Sequence, residues 1–186
     1  GAKIACGMRG ADGAIEHAHL VDGKLECKVI GGGRPTGICG SGLIDIIACL
    51  LDAGVIDESG KLLENPRVVQ IDENTKKAYL LADPLESGDG KPVYLSQKDI
   101  REVQLAKGAI AAGIALLAEQ MGITLEQVEQ VYIAGAFGNY MDPAGACRIG
   151  MLPGILKDRI IPVGNAAGEG AKLALLNKEE LKRAER

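Results

Sequence analysis

The chain has 186 residues, enough to bury a sizeable core in one or two domains. Its net charge of -4 argues against a nucleic acid or an anionic membrane surface as the main partner. No apolar run approaches the roughly 20 residues of a membrane span, and the sequence shows no signal peptide, so we expect a cytoplasmic protein.

The first half of the chain predicts a hairpin, a buried helix and a β-rich segment. Apolar runs at 15–21 and 25–30 flank Asp22-Gly23, a turn typical of β-hairpins. The run at 43–51 is apolar almost throughout and predicts a helix buried on most sides. Polar turns crowd residues 57–92, where short apolar pieces predict a small β-rich insertion or subdomain.

The second half is predicted to begin with the longest helix. It starts at Ser96 or Gln97 and continues to about residue 121, with apolar residues at helical spacing. Two interior glycines, Gly108 and Gly113, weaken such a helix and predict close packing against another element or a ligand. A capping-box pattern at 124–127 predicts a short helix after it.

Residues 131–143 carry the most informative pattern. A β-branched run leads through Gly135 and Gly138 to Asp142-Pro143, which is a helix-start signal. Glycines let the backbone approach a ligand, and the helix that follows attracts an anion. A nucleotide is the leading candidate, and an ordinary strand-to-helix turn is the alternative, since the spacing matches no standard phosphate motif.

Glycine-rich strand-to-helix junctions occur at 37–42, 135–138 and 164–170. Such loops gather at the carboxyl ends of strands, so three of them suggest convergence on one cleft. The last junction opens a final helix, and the charged tail at 178–186 is expected to be solvated or frayed.

Cysteines and histidines give little sign of a metal or disulfide site. The five cysteines are odd in number and form no C-x-x-C pair, so we expect reduced thiols, with Cys39 buried. His17 and His19 share one face of the predicted hairpin, but no third ligand accompanies them.

Five ordered motifs together resemble one family, the ATP-dependent reductive activators of corrinoid proteins, also described as ferredoxin-like iron–sulfur proteins of corrinoid methyl transfer. The resemblance is to their C-terminal region and covers nearly the whole chain. The motifs are Gly-Met-Arg-Gly-Ala-Asp-Gly-Ala-Ile-Glu (7–16), Thr-Gly-Ile-Cys-Gly-Ser-Gly-Leu-Ile-Asp (36–45), Gln-Lys-Asp-Ile-Arg-Glu-Val-Gln-Leu-Ala-Lys-Gly-Ala-Ile (97–110), Ala-Gly-Ala-Phe-Gly (134–138) and Gly-Asn-Ala-Ala-Gly-Glu-Gly-Ala (164–171).

The resemblance implies the α/β actin-like fold of acetate and sugar kinases, chaperone ATPases and actin. It also implies a role in restoring an inactive Co(II) corrinoid to Co(I). ATP or ADP with Mg would bind the actin-like domain, and a [2Fe–2S] cluster in an N-terminal ferredoxin domain would carry electrons. The implied partners are a corrinoid protein and an electron donor. A homodimer is a further option that the resemblance does not decide.

Two features of the family are missing from the sequence. It has neither a ferredoxin cysteine cluster nor an Asp-Ile-Gly-Thr type phosphate motif. We therefore expect residues 1–177 to form a partial actin-like ATPase domain, mostly the second lobe, with 178–186 as its tail. ATP turnover by this segment alone is not expected, and no catalytic residue is assigned.

Site residues follow from the resemblance. Gly135, Ala136, Phe137 and Gly138 match the adenosine-binding loop of the actin-like fold, although a lone Phe is more often a core residue. Gln104 and Lys107 share a helix face and resemble the Glu-x-x-Lys with which chaperone ATPases hold adenosine.

A second group of candidates begins the buried helix. Gly40, Ser41 and Gly42 are expected to shape the cleft or meet phosphate, with tight packing of the loop on a sheet as the alternative.

Two other functional classes stay open. One is a non-catalytic module that docks a corrinoid protein or a second subunit. The other is a lobe of a different actin-like enzyme, such as a sugar or carboxylate kinase or a dehydratase activator.

Overall fold

The computed structural model describes residues 3–135, 138 and 140–185, which form a mixed α/β fold. Its strands fall into three small sheets. The strands are β1 Ala14–Val21, β2 Lys24–Val29, β3 Gly37–Ile38, β4 Val68–Val69, β5 Ala78–Ala82, β6 Val93–Ser96, β7 Val131–Ala134 and β8 Ile160–Gly164. The helices are α1 Gly40–Asp52, α2 Gln97–Gln120, α3 Pro143–Arg148, α4 Ala166–Leu176 and α5 Lys178–Ala184.

The first sheet contains the predicted hairpin. β1 and β2 pair antiparallel around Asp22 (φ 50°) and Gly23 (φ 75°), two left-handed residues that suit a tight hairpin turn. β3 pairs parallel with the start of β1 and leads into α1. The hairpin and the buried helix are both confirmed.

Helix α1 lies against β1 and supplies much of the core. Its residues from Ser41 to Ala48 are all buried. The apolar cluster joins Ile46 of α1 to Ile15 of β1 and extends to Tyr79 and Leu95 of the second sheet.

The second sheet has the order β4-β5-β6 and is antiparallel. Residues Leu62, Tyr79 and Ala82, which come from the polar-turn region, join the same apolar cluster as α1. The β character predicted for this region is confirmed.

Helix α2 begins with a complete capping box. The Ser96 hydroxyl accepts a bond from the Asp99 N–H at 3.1 Å, and the Asp99 carboxylate accepts one from the Ser96 N–H at 2.9 Å. A Cβ at Gly108 or at Gly113 would meet none of the described atoms within 4 Å, so the expected packing against another described element is wrong, and the alternative of a ligand stays a prediction.

The third sheet consists of β7 and β8, which pair in parallel. The N–H of Gly135 donates to the carbonyl of Gly164 at 2.7 Å, so two of the glycine-rich junctions meet at the ends of these strands. The remaining junction leads from β3 into α1 and belongs to the first sheet. The structure thus joins the second and third junctions directly.

The C-terminal segment is solvent-exposed, as one of the two expectations had it, but it is helical instead of frayed. Residues Lys178–Ala184 form α5, whose first turn is capped by the side chain of Asn177. Acidic residues begin this helix and basic residues end it, which complements the helix dipole. None of the described helices is both long and apolar enough to cross a bilayer.

Candidate functional site

Gln104 and Lys107 line one cavity of about 220 Å³. The cavity lies between α2, the end of α1, the loop that follows α1, and the residues that end α3. The predicted common face of the two side chains is therefore seen in the structure. Three further residues that line the cavity come from segments distant from α2 in the sequence: Asp57, Arg148 and Gly150.

The side chain of Gln104 is already engaged by the protein. Its Nε2 donates to the carbonyl of Ser59 at 3.0 Å, and its Oε1 accepts from the guanidinium of Arg101 at 2.5 Å. It also packs on Gly60, where an added Cβ would lie 2.3 Å from Nε2. Gln104 therefore shapes the wall of the cavity and fixes the loop opposite α2.

Lys107 lies over the turn that follows α3. Its Nζ would be 3.2 Å from a Cβ placed on Gly150, which has φ 73°. The neighbouring cation of the wall, Arg148, is paired with Asp52. No described carboxylate lies within ion-pair distance of Lys107, so its ammonium group is available to an anion in the cavity.

Two acidic residues, Asp57 and Glu58, also line the cavity. Asp57 accepts bonds from the hydroxyl of Ser59 and from the N–H groups of Ser59 and Lys61. These bonds, led by the one from the Ser59 hydroxyl, lower the pKa of Asp57 below its ordinary value. The same cavity is thus lined by a hydrogen-bonded carboxylate and by the ammonium group of Lys107.

The glycine loop after β7 is described only at Gly135 and Gly138. Gly135 has φ 99°, a conformation that favours glycine, and Gly138 is buried. A Cβ on Gly138 would lie 2.2 Å from Cγ2 of Ile133. The predicted contacts at Ala136 and Phe137 fall outside the described residues, and neither described glycine lines the cavity of Lys107.

Gly40, Ser41 and Gly42 divide between two environments. Gly40 lines a different cavity of about 490 Å³, which adjoins the first at Val103 of α2. Ser41 donates to the carbonyl of Glu16 at 2.9 Å, and a Cβ on Gly42 would lie 2.2 Å from the carbonyl oxygen of Ile15. The contacts of Ser41 and Gly42 fit the packing alternative for this motif.

Sequence reasoning missed a polar pair formed by the partly exposed His17 and the buried Asp45. His17 Nδ1 lies 3.0 Å from Asp45 Oδ2, which also accepts the N–H of Ala18 at 3.3 Å. Asp45 Oδ1 is buried without a described partner. The sequence does show Asp45 as a single carboxylate inside the apolar run of α1. Its partner His17 is 28 positions away, so no local pattern links the two residues.

Burial raises the pKa of four thiols, Cys6, Cys27, Cys49 and Cys147, which disfavours the reactive thiolate. Cys39 is buried beside the Ser41 hydroxyl, as expected, and burial raises the pKa of Cys27 and of Cys49 to about 11. Within the described ranges, no three Cys, His, Asp or Glu side chains are placed to hold a metal ion. His19 instead faces Glu26 across the hairpin.

Comparisons with known proteins agree with one another. A family model for the C-terminal domain of RACo, the ASKHA domain, matches residues 1–186. The corrinoid activation enzyme RamQ of Eubacterium limosum is 42% identical over 188 aligned positions, which cover 97% of this chain and 32% of RamQ. The [Co(II) methylated amine-specific corrinoid protein] reductase of Methanosarcina barkeri is 30% identical over 167 positions, which cover 89% of this chain and 27% of the reductase.

A solved structure of a reductive activator agrees with these sequence comparisons. A reductive activator for corrinoid, iron-sulfur protein superposes with a TM-score of 0.90 at 37% identity, over 100% of this chain and 30% of that one. The chain therefore spans about a third of the length of the relatives it matches. Since the family model covers every residue, the chain belongs to the family of the RACo C-terminal ASKHA domain and has its actin-like α/β fold.

Proposed function

We propose that this chain is the nucleotide-binding lobe of an ATP-dependent reductive activator, which restores Co(II) corrinoid to Co(I) for corrinoid-dependent methyl transfer. The observation that carries the proposal is the match of the entire chain to the RACo ASKHA domain. The partners of the full protein would be a corrinoid protein and an electron donor. The segment alone would not complete the reaction.

Lys107 is the residue that we place at the nucleotide. Its ammonium group faces a cavity beside Gly150 and has no described carboxylate partner, so a ribose or phosphate oxygen can become its counterpart. Gln104 would position the wall through its bonds to Ser59 and Arg101. Gly135 and Gly138 would bring the loop backbone to the adenosine.

The donor set of the chain bears on the other cofactors. The described residues offer no group of three metal ligands, and two of the thiols have pKa values raised to about 11. These residues do not fit an iron–sulfur cluster or a carboxylate cage for Mg, so we assign no step to a cluster or metal held by them. Mg would accompany the nucleotide phosphates.

Thermal unfolding with and without Mg-ATP or Mg-ADP tests the binding step. A ligand present at about 100 times its Kd adds roughly 2.7 kcal/mol to the free energy of unfolding, which raises the melting temperature. We expect such a rise for the native chain and a smaller one for Lys107→Gln. Lys91→Gln, which removes an exposed charge outside the cavity, is the matched control.

Gly138→Val is a poor probe, because its side chain would collide with Ile133. An equal rise in Lys107→Gln and in native protein would remove Lys107 from the site. No rise at millimolar nucleotide, in this chain or in the full-length protein, would instead favour a docking module.

The reductive role needs a separate assay in the full-length protein. Absorbance would follow the loss of Co(II) corrinoid from a corrinoid protein in the presence of a reductant. We expect the reaction to require ATP and to slow in Lys107→Gln. Reduction that proceeds equally without ATP would contradict the proposed function.

A further inference from the structure

Five cations surround a cavity of about 800 Å³ at the start of α2. They come from three segments that the fold brings together: the N-terminal segment, the turn before β5 and the first turns of α2. All five side chains are exposed. These residues, here called the basic rim, are Lys3, Lys76, Lys77, Lys98 and Arg101.

The cations of the basic rim form no ion pair with a described carboxylate. No described carboxylate lies within 4.0 Å of any of its cationic nitrogens. Lys77 donates to the carbonyl of Leu62 at 3.4 Å, and Arg101 donates to the carbonyl of Ser59 at 2.8 Å and to Oε1 of Gln104, so the described hydrogen-bond partners of both cations are neutral oxygens. The basic rim is therefore a local patch of positive charge on a chain whose net charge is -4.

The floor of the cavity is different, because it holds a buried carboxylate. Asp99 is 3% exposed, and its two oxygens accept bonds from the N–H groups of Ala5 and Ser96. The Ser96 hydroxyl also donates to Asp99, at 2.7 Å. These bonds occupy donors that a small anion would need at the floor, so attraction for anions is confined to the rim.

We propose that the basic rim docks an acidic segment, rich in Asp and Glu, of a protein partner. Such a segment presents several carboxylates spaced along a chain, which can meet separate lysines around the opening while the floor stays vacant. Flexible lysines suit this mode, since they act as point charges that steer encounter and tolerate variation in geometry. A single compact phosphate would gain less, because it would approach the Asp99 carboxylate.

A fluorescein-labelled oligoglutamate peptide tests the proposal by fluorescence anisotropy on the full-length protein. We expect binding at low ionic strength that weakens steeply with added salt. The double variant Lys76→Glu/Lys98→Glu should raise Kd by roughly tenfold or more, since each reversal replaces attraction by repulsion. Folding should persist, because Lys98 lies in the first turn of α2, where an acidic residue is favourable.

The matched control is Lys24→Glu/Lys178→Glu, which changes the net charge equally. Lys24 lies beside the hairpin turn and Lys178 in the first turn of α5, so each mirrors one of the test positions. An equal loss of affinity in this control would overturn the proposal in favour of a net-charge effect. So would absence of peptide binding, or tighter binding of inorganic pyrophosphate or of a single-stranded oligonucleotide than of the peptide.

Discussion

Asp45 has an environment that opposes its charge. The side chain is 6% exposed and lies in the apolar face of α1, with one oxygen bonded to His17 and the other without a described partner. Burial outweighs the bonds from His17 and Ala18, so the pKa of Asp45 lies above its ordinary value. Its protonated form is therefore favoured by folding.

Linkage turns this raised pKa into a prediction about Asp45→Asn. A carboxyl whose pKa is higher in the folded state contributes stability below its unfolded pKa and loses it as pH rises through the folded pKa. The uncharged amide has no such loss. We expect Asp45→Asn to gain stability relative to the native chain as pH rises from about 4, near the unfolded value, to neutrality. Urea unfolding across this range measures it.

Asp57→Asn is a control, because its stability relative to the native chain should change with pH in the opposite direction. Hydrogen bonds lower the pKa of Asp57, so the native carboxylate contributes stability that is present at neutral pH and lost on acidification. We therefore expect the free energy of unfolding of Asp57→Asn to decrease relative to that of the native chain as pH rises. Parallel pH profiles for native and Asp45→Asn proteins would show that burial leaves the pKa of Asp45 unchanged.

At the scale of elements, the approach of α1 to β1 depends on a glycine. Gly42 is buried, and a Cβ there would lie 2.2 Å from the Ile15 carbonyl oxygen and 2.8 Å from its carbon. Because these are backbone atoms, no side-chain rotation can relieve the clash. The close packing lets Ser41 bond to the Glu16 carbonyl and brings Asp45 to His17.

We therefore expect Gly42→Ala to lower the free energy of unfolding by about 1–3 kcal/mol, the usual range for overpacking. Gly108→Ala is the matched change in α2, where the added Cβ meets none of the described atoms within 4 Å. It should raise stability by about 0.5–1 kcal/mol, because alanine favours a helix interior. Chemical denaturation compares the two. Equal effects would mean that helix propensity alone governs both positions.

Elements with local signals could be predicted from the sequence. Asp142 caps α3 as its Asp-Pro pair indicated, with bonds to the N–H groups of Ala144 and Gly145 at 3.1 and 2.9 Å. The periodicity of α2 also gave its length correctly. The open surroundings of Gly108 were not predictable, since a glycine in a helix does not reveal whether a neighbour is present.

The candidate site was predicted only in part. The common face of Gln104 and Lys107 follows from helical spacing, which is a local property. Arg148 and Gly150 complete the cavity wall from about forty positions further along the chain, and no short-range pattern links them to α2. The basic rim was not predicted for the same reason, because three separate segments of the chain contribute to it.

At the scale of the whole molecule, burial is uneven. The core around α1, β1, β5 and β6 contains most of the fully buried side chains. In contrast, the parallel pair β7 and β8 leaves Tyr132 62% exposed, and α4 leaves Leu175 86% exposed. Parallel strands are ordinarily covered on both faces, so β7 and β8 gain less apolar stabilisation than the core does.

Amide hydrogen exchange on the 186-residue chain should reveal this asymmetry. Local opening requires less free energy where few apolar contacts must be broken. We expect amides of β7 and β8 to exchange at least about tenfold faster than those of β1 and β5, a difference worth about 1.4 kcal/mol. Helices provide an internal control, because α1 is buried while the second half of α2 exposes Leu116 and Leu117. If burial sets the free energy of local opening, the amides of α1 will be better protected than those in the second half of α2. Equal protection throughout would mean that the chain opens only as a single cooperative unit.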